Sequence, residues 1–68
     1  MAAYHVNKNA QPTGEHEVHK NGCSHEPEPG NQLHLGDFPN CHDAVKEAKK
    51  HYDDVDGCFY CSEECHTR

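Results

Sequence analysis

The chain has no tryptophan and no isoleucine, and hydrophobic residues make up only 32% of its 68 positions. The large apolar side chains are Val6, Val18, Leu33, Leu35, Phe38, Val45, Val55 and Phe59, helped by the amphipathic Tyr4, Tyr52 and Tyr60. A domain of this size buries only about 60% of the surface its unfolded chain exposes. Ordering each residue costs about 1.5 kcal/mol, so so thin a core cannot offset the entropy unaided. Such a chain is disordered, oligomeric, disulfide-bonded or metal-bound. Two further features are missing. No stretch approaches the ~20 apolar residues of a membrane span, and the first ten residues show no basic region followed by an apolar run, so no signal peptide is expected. The expectation is a single cytoplasmic domain over residues 1–68. An excess of basic residues is missing as well: 12 acidic against 6 basic side chains leave a net charge of −6. That balance argues against nucleic acid or anionic membrane as the main partner and leaves an unidentified protein.

What the chain does have is five cysteines and eight histidines. An intracellular chain keeps its thiols reduced, and an odd number cannot complete a disulfide framework. Metal binding is therefore the favoured source of stability.

Tyr4 and Val6 alternate with polar neighbours, which suits a first strand, and Glu15 to Lys20 reads as its hairpin return across the Pro12/Gly14 turn. Pro27 and Pro29 make Asn21 to Gly30 a loop, and Leu33 and Leu35 mark a short third strand over Gln32 to Gly36. The surest element is a helix. Asn40 is a good N-cap with Asp43 three residues on, and Cys41, Ala44, Val45, Ala48 and Tyr52 form one apolar stripe. Asp53 to Gly57 ends it. The expected fold is α+β: a two- or three-stranded antiparallel sheet, one helix, and a C-terminal cysteine knuckle.

The strongest chemical signal is Cys58-Phe59-Tyr60-Cys61. Two cysteines separated by two residues can turn tightly and aim both sulfurs at one ion, and Gly57 in front permits the close approach. A tetrahedron needs a second pair, and His19 with Cys23 supplies it across a loop containing Gly22. The predicted site is His19, Cys23, Cys58 and Cys61, holding Zn2+. Cys41 and Cys65 are the alternates: Cys65 lies four beyond Cys61, so Cys58, Cys61 and Cys65 with Cys23 or Cys41 would also satisfy the four-ligand rule. Cys41 falls on the apolar stripe, where a reduced cysteine acts as a small hydrophobe. His5, His16, His25, His34 and His51 have no spacing partner and read as surface or strand decoration.

The run His16-Glu17-Val18-His19…Gly22-Cys23, then Leu35-Gly36-Asp37-Phe38…Cys41-His42…Ala44-Val45…Ala48-Lys49-Lys50…Tyr52, then Gly57-Cys58-Phe59-Tyr60-Cys61…Cys65-His66-Thr67 resembles a family of short, uncharacterised bacterial proteins rich in cysteine and histidine. The likeness spans nearly the whole chain and implies a bacterial source, but no activity. In layout alone, a hairpin ending in a ligand pair, a helix and then Cys-x-x-Cys is similar to the zinc domain of the bacterial Ada methylation-repair protein. That likeness implies zinc and an α+β shape. Methyl transfer is not implied, because His19 stands where that domain has a cysteine and a basic surface is missing.

No Ser/His/Asp order, phosphate loop or paired-carboxylate signature appears, so no enzyme is expected. The expected function is a zinc-stabilised interaction module. A soft-metal buffer or carrier for zinc or copper is the first alternative, and a thiol-redox protein using Cys-x-x-Cys the second. The last requires that motif to open a helix after a strand, whereas here it follows the helix.

Overall fold

In the computed structural model, which describes residues 1–67, four strands and one helix are arranged as α+β. Strands β1 (Ala2–Asn7) and β2 (His16–Lys20) pair antiparallel with Val6 opposite Val18 and His5 opposite His19. Strand β3 (Gln32–Phe38) adds to the outer side of β1, also antiparallel, with a register shift between Tyr4 and His5. Helix α1 (Cys41–Ala48) follows, and β4 (Val55–Gly57) completes the sheet in the order β3-β1-β2-β4.

Two features depart from the expected two- or three-stranded antiparallel sheet. There is a fourth strand, and it runs parallel to β2, with His16 opposite Val55 and Val18 opposite Gly57. Three residues with one large apolar side chain carry no alternation signal, and the sequence marks Asp53 to Gly57 only as the end of the helix. A parallel neighbour also needs a long crossover, here β3 and α1, and no local motif announces it. The helix is shorter than its stripe. The Asn40 side chain accepts the Asp43 N–H at 2.9 Å, as an N-cap should, but regular α-helix stops at Ala48. Its last turn tightens over the next residues, with Tyr52 N–H still donating to Ala48 O at 3.1 Å.

Alternation along the central strands gives the sheet two different faces. One carries Tyr4, Val6 and Val18, packed with Ala44, Ala48, Cys41 and Cys65. Strand positions of opposite parity carry His5, Glu17 and His19. The two histidines are the largest fully buried side chains, at 1% and 0% exposure. Two imidazoles therefore lie in the interior, which is costly unless their nitrogens find partners. No helix among the described residues is long and apolar enough to cross a membrane.

Candidate metal centre

The end of β2 delivers His19, and the turn after it delivers Cys23. Gly22 makes that turn with φ +93°, a conformation that a residue with a Cβ rarely adopts. Strand β4 delivers the other half of the site. The Cys58 N–H donates to Val18 O at 2.9 Å, which fixes the start of the knuckle beside β2, and the Ser62 N–H donates back to Cys58 O at 2.9 Å, which closes its turn. Gly57 sits where the chain passes under that turn. A Cβ on it would lie 2.6 Å from Cys65 Cβ and 2.8 Å from Ser62 O, so only glycine permits the approach.

The outcome is that one donor atom from each of His19, Cys23, Cys58 and Cys61 lies within 4.8 Å of the others. Cys23 and Cys58 sulfurs are 3.9 Å apart, and Cys61 Sγ is 3.8 Å from His19 Nδ1. Backbone amides donate to all three sulfurs: Lys20 N–H to Cys61 at 3.3 Å, His25 N–H to Cys23 at 3.4 Å and Tyr60 N–H to Cys58 at 3.4 Å. Such bonds favour the thiolate over the thiol, which is what a metal ligand must be. Burial acts in the opposite sense. It pushes the Cys61 thiol up to about 12, with the Lys20 amide opposing it, so the sulfur needs a cation nearby to ionise. Burial also drives His19 down to about 4, helped by its neighbour His5. This keeps the imidazole neutral, the form that ligates. The group could hold a metal ion.

Around the donors lies a layer that the spacing of ligands did not reveal. The His5 ring stacks on His19 with centroids 5.5 Å apart. Its Nδ1 is 2.6 Å from Asn21 Oδ1 and its Nε2 is 3.5 Å from Glu26 Oε1. His19 Nε2, buried and without a hydrogen-bond partner among the described residues, faces Glu17 Oε1 at 3.7 Å. With Nδ1 toward the sulfurs, Glu17 stands on the side of the ring where metal-bound imidazoles take a carboxylate partner. The Glu17 carboxyl is itself raised by burial, with Glu15 adding to the effect. The assignment of His5 to surface decoration is thus corrected. It stands opposite His19 in the β1–β2 register, and that register was the signal available. The other histidines are less committed: His16 stacks on Tyr52 at 3.8 Å, His25 on Tyr60 at 3.7 Å, while His34 is exposed and exposed His51 pairs with Glu47 at 3.7 Å.

Cys41 and Cys65 do not join this site. They are bonded to each other as a disulfide, while Cys23, Cys58 and Cys61 are free thiols. Of the states the sequence leaves open for this pair, ligand, free thiol or disulfide, the structure has the disulfide. The 3-10 turn Glu63–Cys65 reverses the chain after the knuckle and carries Cys65 to the N-terminus of α1, 24 residues away in sequence. The odd count resolves as three plus two. Comparison of the chain with family models, with curated proteins and with solved structures gives no match.

Proposed function

We propose that this chain is a small interaction module whose fold is held by a structural zinc ion on His19, Cys23, Cys58 and Cys61. The observation that carries the reading is the convergence of those four donors, with a backbone N–H on each sulfur. Three sulfurs and one imidazole suit zinc, which takes Cys₃His sets in closed tetrahedral sites. Bound there, the ion would neutralise the thiolates and tie β2 to a knuckle 35 to 42 residues away. Apparent zinc binding energies of about 10–16 kcal/mol are the scale of help that so small a core needs. The chain's own residues then present a surface. Phe59 and Tyr60 at the knuckle tip are 49% and 66% exposed, and Tyr60 stacks on His25. Exposed aromatic side chains held by a rigid turn are the kind of anchor that protein partners bury, and the net charge of −6 favours a protein over a nucleic acid.

The partial exposure of Cys23 and Cys61 favours a second reading, a zinc or copper carrier, because exchange needs reachable ligands. Native mass spectrometry of protein purified without added metal, followed by amide exchange with and without a strong chelator, separates the two. The structural reading expects about one zinc per chain and loss of protection across sheet and helix on chelation. Protection that survives chelation would favour the carrier, and a chain that takes up neither zinc nor copper would overturn both.

A further inference from the structure

A second cluster lies at the other end of the 3-10 turn. Cys41, His42 and Cys65 place one donor atom each within 4.8 Å of one another. His42 Nε2 is 3.6 Å from Glu64 Oε2, so a carboxylate stands beside the imidazole. Cys41 and Cys65 are buried residues, at 7% and 8% exposure, while the His42 and Glu64 side chains are open to solvent at 62% and 80%. Two sulfurs at the floor and a nitrogen at the rim are three protein donors, and a fourth position on the exposed side can be taken by water, as in open zinc sites.

We propose that this cluster is a redox-gated binding site for a borderline or soft divalent cation such as zinc: closed while Cys41 and Cys65 are bonded, and opened by a dithiol reductant. In the oxidised state the sulfurs are spent on each other, and a disulfide carries no charge with which to hold a cation. Reduction transfers two electrons and two protons from the dithiol, which becomes a disulfide, and the Cys41–Cys65 bond breaks into two thiols. Metal binding then displaces those two protons to solvent, leaving two thiolates, His42 and a water around the ion.

Geometry and charge both permit the exchange. Sulfurs bound to one tetrahedral zinc at about 2.3 Å lie about 3.8 Å apart. The two Cα atoms are 6.3 Å apart, so side-chain rotation alone reaches that spacing. Cys41 opens α1, where the helix N-terminus favours a thiolate. That same end of the helix, together with Lys46 and Lys49 in the adjoining groove, opposes a bare cation. The site therefore requires the two thiolate charges, and it cannot fill before reduction. Grooves run along both flanks, one lined by Cys41 with Tyr60 and Cys61, the other by Cys65 with His42 and Val45. A small reductant can approach from either side.

The test is zinc titration of the full chain by native mass spectrometry, first oxidised and then reduced with a phosphine, with circular dichroism recorded alongside. The oxidised chain reports the His19 site alone, so the two proposals stand or fall separately. Reduction is expected to add one equivalent of zinc. That increment should vanish in the Cys41→Ser/Cys65→Ser double variant, and His42→Ala should weaken it at least tenfold without changing the oxidised stoichiometry. Cobalt substitution should show the added ion as tetrahedral with fewer thiolate charge-transfer contributions than the first. A reduced, folded chain that saturates at its oxidised stoichiometry would overturn the proposal. So would an added equivalent that persists in the double serine variant, or loss of the helix signal on reduction at saturating zinc.

Discussion

Replacing Gly57 by alanine should damage this protein out of proportion to the size of the change. The new Cβ would lie 2.6 Å from Cys65 Cβ, 2.8 Å from Cys65 C and 2.8 Å from Ser62 O. Carbon atoms pack best at about 3.5–4.0 Å, so relief requires the Ser62–Cys65 turn to move away from β4 by about 1 Å. Two of the three obstructing atoms are backbone, and no rotamer change can remove them. The turn is anchored on both sides, by the knuckle through the Ser62 N–H bond to Cys58 O and by the disulfide to α1. Either the clash remains or Cys61 leaves its place beside His19. Overpacking of this kind costs about 1–3 kcal/mol, before any loss at the proposed metal site. At about 4–8 °C per kcal/mol for a chain of this length, the melting temperature should fall by about 4–24 °C. Thermal unfolding followed by circular dichroism at saturating zinc measures the first effect, and competition with a chromogenic chelator measures zinc affinity. Gly30→Ala is the control, since nothing lies within 4 Å of a Cβ there, and it should shift the melt by no more than about 2 °C. A Gly57→Ala protein that melts with the wild type and holds zinc equally well would refute the close-approach argument.

Cys58→Ser and Cys61→Ser should each leave a three-donor remnant and unfold most of the chain, whereas His51→Ala removes only an exposed i,i+4 pair with Glu47 worth about 0.2–0.5 kcal/mol; denaturant titration in zinc ranks the three. Cys41→Ala opens a loop of sequence separation 24, worth about 3.5 kcal/mol by chain entropy, and an unchanged denaturation midpoint in oxidising buffer would contradict the assigned bond. Glu17→Gln should weaken zinc binding about tenfold with the circular dichroism spectrum intact, because it removes the carboxylate that faces His19 Nε2; equal affinity in chelator competition would place Glu17 outside the site. The folded state holds His19 at about 4 against an ordinary 6.5, so the unfolded chain takes up the proton first. Stability from this residue is full above about pH 6.5 and is lost as pH falls toward 4, by about 3 kcal/mol in all; melts from pH 7.5 to 4.5 that show no decline would reject it.

Much of the site was legible because its halves are local. Cys58 and Cys61 in one turn, His19 and Cys23 across another, and Asn40 capping α1 are each set by residues within four positions, and spacing alone carries that information. The α+β class followed from the same local signals. What only the tertiary structure decided is how distant segments meet. The β1–β2 register puts His5 against His19 and turns an apparent surface histidine into the largest kind of buried side chain here. The parallel docking of β4 on β2 brings the knuckle to Cys23 across 35 residues, and three residues of strand are too few to show that partner in advance. The division of five cysteines into three free thiols and one bonded pair has the same origin. Every cysteine satisfies the rules of spacing for a ligand, and only the reversal of the chain at Glu63–Cys65, with Gly57 giving it room, separates Cys65 from Cys61 and commits it to Cys41.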